Sequence, residues 1–253
     1  MAYKIVFYPS KPHFGYVILK ILKNIGGEVV ELTDSCDSIM SWKDNTYKKY
    51  PSELYSIKPK KEVINGNCLD ISKKHVDKIY KEVFGITTEI DPLKYNGKYV
   101  CKFNRNGYHF GIVCKKPHRP LPFLFYQKLI DTKKEKYFFE LRLPIIKNSI
   151  PFVYEKYKSP IHRFFNFFGK SSIAPFSKYF TDKDKELILE FCRKIGLDYG
   201  ELDILEENNQ YYITDVNPTP VGLPNGLPKK QVKEAINLMS DEFEKEFLTR
   251  KPC

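Results

Sequence analysis

Residues 196–220 read GLDYGELDILEENNQYYITDVNPTP, and this stretch decides the fold. Two apolar-rich runs, Leu202 to Leu205 and Tyr211 to Val216, flank the polar turn Glu206-Glu207-Asn208-Asn209-Gln210, which is the pattern of a β-hairpin. Asp203 lies in the first strand, and Asp215 and Asn217 end the second. Residues two apart on a strand share a face, so Asp215 and Asn217 point the same way, and a two-stranded ribbon can set Asp203 across from them. Three hard oxygen ligands then share one surface, with few cations close to them in the sequence. Mg²⁺ suits such a site, because it takes one or two carboxylates and fills its shell with phosphate oxygens and water.

The run Asp215-Val216-Asn217-Pro218-Thr219-Pro220 behind an apolar strand, with Asp203 twelve residues earlier, resembles the C-terminal metal-binding hairpin of ATP-grasp enzymes. That family usually carries Glu where Asp215 stands, and the shorter carboxylate weakens bidentate coordination. The resemblance implies that Asp203, Asp215 and Asn217 hold one or two Mg²⁺ ions, or Mn²⁺ in their place, bridging the phosphates of ATP. It also puts Asn217 among the catalytic residues.

Composition bounds the rest. The chain has 253 residues, 42% hydrophobic and 29% charged, enough for a sizeable core. No apolar run reaches the ~18 residues a membrane span needs, and the opening MAYKIVFYPS lacks a signal-peptide apolar region. The six cysteines are scattered without CxxC pairs, which predicts a reducing, cytoplasmic setting rather than a zinc or disulfide framework. The net charge of +11 is local: residues 101–180 hold 16 Lys and Arg against 4 Asp and Glu, while the remaining residues hold 26 against 27. Such concentration favours phosphates or another polyanion. No recognition helix, zinc finger or RNA-binding signature accompanies it, so nucleic acid is not expected.

Along the chain, Tyr3–Tyr8, a helix over Phe14–Ile25 and a strand over Glu28–Leu32 make a β-α-β opening. It resembles the reduced N-terminal domain ahead of an ATP-grasp core. In residues 34–62 Trp42 and Asp44 are substrate-facing candidates, with core packing the expected role of Trp42. A helix starts near Asp70, capped by Asp70 or Ser72, and runs to about Val83 before Gly85. Lys73 stands where the family often has a phosphate-reaching lysine. The strand Tyr99–Lys102 precedes the loop Asn104–Gly111 and the returning strand Ile112–Cys114. Backbone N–H groups of a glycine-containing loop can approach phosphate oxygens. The resemblance makes Asn106 and Gly107 the flap over the nucleotide and Lys102 its phosphate ligand, with His109 a further loop candidate.

The apolar run Leu124–Asp131 matches the family's hinge strand. The resemblance assigns Gln127, Lys128, Leu129, Ile130 and Asp131 to the nucleotide: backbone near Lys128 and Leu129 on the adenine edge, Ile130 on the ring, Asp131 on the ribose. Arg142 lies in the apolar strand Phe138–Ile146, where a charge is costly unless paired. The family places an arginine here, facing the γ-phosphate. Lys147-Asn148-Ser149 is a turn, Ile150–Tyr154 the next strand, and Lys156 or Lys158 the second basic residue, Lys156 being preferred. Residues 159–181 are aromatic and basic; the phenylalanines are core candidates, and Arg163 and Lys170 could bind an acidic substrate. Helices over 182–195 and 231–248 and a loop over Gly222–Gly226 complete the chain.

The expected fold is α+β, an ATP-grasp domain over 66–253 with two sheet-bearing lobes around ATP, behind a small α/β domain over 1–65. The implied chemistry is ATP-dependent activation of a substrate carboxylate to an acylphosphate, then attack by an amine. Partners are ATP and an acidic small molecule or peptide, with a homodimer left open. A kinase of the inositol-phosphate type, whose acceptor is a polyanionic alcohol, and a non-catalytic nucleotide-binding module are the alternatives.

Overall fold

A computed structural model gives the fold over residues 2–32, 36–50, 54, 63–108, 111–160 and 169–248. His109 and Arg163 lie outside the described residues, as do most of 159–168 and much of 51–62.

Among the described residues three sheets are built in chain order. The first is parallel: strands β1 (Lys4–Pro9), β2 (Glu28–Val29), β3 (Ser38–Trp42) and β4 (Val63–Ile64) stand in the order β2-β1-β3-β4, with helix α1 (Val17–Asn24) between β1 and β2. α1 starts three residues later than expected, because Gly15 at φ +104° and extended Tyr16 precede it. Phe14 consequently lies outside the helix and is exposed. The second strand ends at Val29 rather than Leu32.

Helix α2 (Lys73–Phe84) is capped by Ser72 and closed by Gly85 in the left-handed conformation. A three-stranded antiparallel sheet follows, β5 (Tyr99–Phe103), β6 (Gly111–Cys114) and β7 (Leu124–Lys128), ordered β6-β5-β7. The large sheet comprises β8 (Lys133–Lys134), β9 (Tyr137–Ile146), β10 (Val153–Lys158), β11 (Lys170–Ala174), β12 (Tyr199–Glu207) and β13 (Gln210–Asn217). Its order is β11-β10-β9-β12-β13, with β8 on β9, and all pairings are antiparallel.

β10 runs Val153–Lys158 rather than Ile150–Tyr154. Ile146 and Ser149 exchange backbone hydrogen bonds to close the turn, and Pro151 has no N–H for a ladder. The shift brings Lys156 and Lys158 inside the strand. Helix α3 (Asp182–Ile195) has a Thr181–Asp184 capping box. It ends at Gly196, where φ is +78° and an added Cβ would sit 2.4 Å from the Asn67 carbonyl carbon. α4 (Lys229–Phe243) continues into a π-helical turn, Glu244–Leu248.

Strand alternation gives the large sheet two different faces. Leu141, Leu143, Leu202 and Ile204 pack with Val76, Ile79, Ile188 and Phe191 of α2 and α3. The intervening residues look the other way. At one end of that face Ile146, Tyr154 and Tyr199 join Phe7, Ile18, Met239 and Phe243 in a second core shared by the first sheet and α4. At the other end the intervening residues are charged, and they floor a cleft.

Candidate active site

The cleft lies between the large sheet and the sheet β6-β5-β7. Its floor is one cross-strand row. Tyr154 pairs with Arg142, Arg142 with Asp203, and Asp203 with Asp215, while Glu201 pairs with Asn217 one step along. The hairpin β12-β13 therefore sets Asp203 across from Asp215, as its spacing predicts. Its turn is tighter than expected. Only Asn208 and Asn209 connect the strands, both at positive φ, as a two-residue turn of type I′ needs. Gly200 is required where the strands close on each other, since a Cβ there would lie 2.4 Å from the Asn217 carbonyl oxygen.

Buried Asn65 fixes where the hairpin begins and ends. Its Oδ1 accepts from the amides of Asp198 (2.8 Å) and Tyr199 (2.9 Å). Its Nδ2 donates to the carbonyls of Tyr199 (2.7 Å) and Pro218 (3.3 Å).

The three oxygen ligands are not poor in cations, contrary to the sequence reading. Arg142 grips Asp203 with two hydrogen bonds, Nε to Oδ1 at 2.7 Å and Nη2 to Oδ2 at 3.0 Å. Its Nη1 stands 3.0 Å from Glu201 Oε2, a charge contact without hydrogen-bond alignment. Lys156 Nζ reaches Asp203 Oδ1 at 2.9 Å, and Lys73 Nζ reaches Asp215 Oδ1 at 2.5 Å. These cations come from β9, β10 and α2, far from residues 203–217 in sequence, so the sequence reading named them for the phosphates but did not place them against these acids. Burial would raise the Asp203 carboxyl, but Arg142 and then Lys156 outweigh it and hold the group well below the usual carboxylate range. Burial pushes Glu201 up despite Arg142.

These carboxylates thus already face positive charge, and Asp203, Asp215 and Asn217 offer the hard oxygen donors that Mg²⁺ prefers. Among the described residues no group of three or more His, Cys, Asp or Glu side chains is placed to hold a metal ion.

The flap and the basic residues meet this floor. Lys73, Lys102, Asn106 and Gly107 all line the cleft. Asn106 bolts the flap down: its Nδ2 donates to the Val216 carbonyl at 3.1 Å, its Oδ1 accepts from Lys73 at 3.3 Å, and its amide donates to Thr46 Oγ1 at 2.8 Å. Lys102 Nζ donates to Gln127 Oε1 at 2.7 Å, and Gln127 donates to Thr88. Burial, then neighbouring Lys73, pulls the Lys102 ammonium down to about 8.

The two candidates on β10 separate. Lys158 lines the cleft and donates to Glu140 at 2.6 Å. Lys156 is fully buried beneath, ion-paired with Glu140 and Asp203, and does not line it.

The hinge is also displaced in part. Gln127, Lys128, Leu129 and Ile130 line the cleft. The amides of Lys128 and Leu129 are spent on the carbonyls of Thr88 (2.9 Å) and Lys98 (3.1 Å), so these two amides are not open for an adenine edge. Lys128 lays its ammonium on Tyr212, 2.8 Å from the hydroxyl. Asp131 does not line the cleft; its carboxylate accepts from the Lys133 amide, and buried Thr132 lines the wall instead.

Trp42 is core, edge-on to Phe7 and Tyr16, whereas Asp44 and the loop Val221–Asn225 line the cleft. Phe176 and Phe180 stack together at the α3 side of the core. Lys170 lies outside the lining, with its ammonium 5.9 Å from the Tyr157 ring. Glu140 and Glu201 were missed, although each stands two residues before a singled-out charge on the same strand and so shares its face.

No protein-family model and no curated protein sequence matches the chain. Solved structures do. The ATP-grasp ligase PsnB, complexed with a phosphomimetic variant of its minimal precursor, Mg and ADP, superposes with TM-score 0.62 at 9% identity, covering 97% of this chain and 99% of PsnB. The D-alanine–D-alanine ligase of Bacillus anthracis complexed with ATP gives 0.60 at 14%, covering 98% and 97%. The macrocyclase MdnC of Microcystis aeruginosa, bound with the precursor peptide MdnA, gives 0.53 at 12%, covering 99% and 100%. At these identities the likeness is one of fold, over nearly the whole chain.

Proposed function

The protein has the ATP-grasp fold, and we propose that it is an ATP- and Mg²⁺-dependent ligase that activates a substrate carboxylate as an acylphosphate and joins it to an amine. One observation carries the reading: Asp203, Asp215 and Asn217 share a cleft floor with Arg142, under a flap bearing Lys102 and pinned by Asn106. Lys102 and Lys73 bind nucleotide phosphates on the flap side. Arg142 lies beside Asp203, where charge shifts as the γ-phosphoryl group moves. Asp203, Asp215 and Asn217 would hold Mg²⁺, which supplies charge neutralisation for the transferred group. Gln127, Lys128, Leu129 and Ile130 form the nucleotide wall, and Lys156 supports Asp203 from below. Residues 1–65 form the small α/β domain of this reading and residues 66–253 its ATP-grasp domain.

The surplus of 12 positive charges in residues 101–180 exceeds what Mg-ATP requires and supports an acidic co-substrate. The solved complexes of PsnB and MdnC with precursor peptides make acidic peptides a class to screen beside small acids. The test is ADP release against such a panel, with mass spectrometry of the product. Free phosphate plus a condensed product supports the ligase. A phosphorylated product converts the reading to a kinase, and absence of ADP across the panel refutes it.

A further inference from the structure

Asp77 lies in α2 among the core residues Val76, Ile79 and Tyr80 and is only 4% exposed. A buried carboxylate needs partners, and here they are the two threonines that follow the helix. The Thr87 hydroxyl donates to Oδ2. Thr88 donates to Oδ1 twice, from its amide at 2.8 Å and from its hydroxyl at 2.6 Å. Thr88 is also locked beside β7: its carbonyl accepts from the Lys128 amide at 2.9 Å, and the Ile90 amide donates to the Tyr126 carbonyl at 2.9 Å.

From Thr88 the hydrogen bonds run on to the cleft. Gln127 Nε2 donates to Thr88 Oγ1 at 3.0 Å, and Lys102 Nζ donates to Gln127 Oε1 at 2.7 Å. The direction of this chain is set at its far end. A carboxylate only accepts, so the one hydroxyl proton of Thr88 is spent on Asp77, and its oxygen can only accept from Gln127. The buried Gln127 amide must then give its nitrogen to Thr88 and turn its oxygen toward Lys102. Reversed, it would set donors against donors at both ends, with the loss that unpaired buried groups bring. Lys102 and Gln127 line the cleft, whereas Asp77 and Thr88 stand behind its wall.

We propose that Asp77 and Thr88 are positioning residues for Lys102, which hold its ammonium at the cleft wall through the amide of Gln127. That Lys102 meets nucleotide phosphates rests on the function proposed above; the hydrogen-bonded relay does not. The charged groups that face Lys102 from other elements are Lys73 on α2 and Lys158 on β10, which oppose its charge, and Asp215 on β13 and Glu140 on β9, which favour it. Among the described residues none of these four hydrogen-bonds to Thr88 or Gln127, so a change at Thr88 reaches Lys102 through the amide. An acceptor held against the ammonium favours its charged form, and loosening that acceptor disfavours it.

The experiment is a ¹³C NMR pH titration of the full chain with ¹³Cε-labelled lysine and no nucleotide, Lys102 being assigned by its absence from the spectrum of Lys102→Met. Thr88→Val should lower the Lys102 midpoint, near 8 in the parent, by at least about half a pH unit, and Thr88→Ser should keep the parental value. Asp77→Asn should move the midpoint the same way, which decides the matter if Thr88→Val does not fold. An unshifted midpoint in the folded variant overturns the proposal. Calorimetry with Mg-ATP at pH 9 separates positioning from mere support of the fold. Thr88→Val should raise the dissociation constant at least about threefold in the parent and leave it unchanged in Lys102→Met. Equal weakening in both backgrounds makes Thr88 a purely structural residue and overturns the proposal. If Lys102→Met binds Mg-ATP like the parent while the midpoint still shifts in Thr88→Val, the relay stands and the nucleotide role of Lys102 falls.

Discussion

Raising the pH should loosen nucleotide binding, and Lys102 should be the cause. Burial first, then Lys73 on α2, lowers its ammonium from 10.5 to about 8; Lys158 on β10 adds to this, while Asp215 on β13 and Glu140 on β9 oppose it. Bound phosphates favour the charged form, so binding selects protonated Lys102. In the empty cleft that form is the majority at pH 7 and about a tenth of molecules at pH 9. The Mg-ATP dissociation constant should therefore rise about tenfold over that range, ~1.4 kcal/mol. The γ-phosphate, with its second pKa near 6, is ionised throughout and adds no competing slope. Calorimetry in buffers of different ionisation enthalpy should detect uptake of close to one proton per ATP at pH 9. The same shift has a stability counterpart. Between pH 8 and 10.5 the unfolded chain holds the Lys102 proton and the folded chain does not, so stability rises with pH across that window. Below pH 8 the buried ammonium costs on the order of 3 kcal/mol. Lys102→Met should abolish the pH slope of ATP affinity, weaken binding at pH 7 and raise stability there. A flat dissociation constant from pH 7 to 9.5, or a Lys102→Met variant that keeps the slope, refutes this reasoning.

Asp215→Asn should lose turnover by several kcal/mol of transition-state stabilisation, the scale of a Lewis-acid ion, in a protein that stays folded despite losing the Lys73–Asp215 ion pair; near-parental activity at limiting Mg²⁺ would count against the metal set. Gly200→Ala forces a Cβ to within 2.4 Å of the Asn217 carbonyl oxygen, so it should cost ~1–3 kcal/mol of stability and raise the Mg²⁺ needed for half-maximal turnover. Lys156→Met leaves Glu140 and Asp203 short of a fully buried partner; the expected loss is ~3–5 kcal/mol in chemical denaturation, beyond what any effect on ATP affinity accounts for. The Michaelis constant of the acidic co-substrate should rise with salt at saturating ATP, since exposed charges act only within about 8 Å at physiological ionic strength; a flat response would remove the acidic-substrate expectation.

Much of this architecture could be read from local pattern. The hairpin was visible because strand alternation and Asp-x-Asn coincide, and helix 182–195 because Thr181 caps it and Gly196 ends it. What failed depended on contacts distant in sequence. Arg142 and Asp203 lie 61 positions apart, so nothing near residue 203 announces the guanidinium that grips it. Lys156 and Lys158 have the same residue type and, two apart on one strand, share a face. Only the strand's late start and the packing beneath it decide that Lys158 faces the cleft while Lys156 is enclosed. Asp131 ends an apolar run in the expected way, yet the strand stops at Lys128 and its carboxylate turns back to its own loop. Asn65, which clamps both ends of the hairpin, sits at φ 59° before Gly66, where the sequence announces only an ordinary Asn-Gly turn.

The paired charges also explain how such a polar floor survives inside the protein. Isolated, any one of Asp203, Glu140 or Lys156 would be too costly to bury. Joined across neighbouring strands they satisfy one another, and the register that aligns Arg142 with Asp203 and Glu140 with Lys156 becomes a condition of folding. The apolar opposite face, with Leu141, Leu143 and Leu202, enforces that register independently, because a one-residue slip would expose it. Core packing on α2 and α3 thus aims the charged residues of the intervening positions into the cleft. The same α2 that packs the core with Val76 and Ile79 carries Lys73 at its first turn, against Asp215. Nucleotide site and hydrophobic core are consequently two faces of one set of strands, so a substitution that disturbs the register should be felt in both.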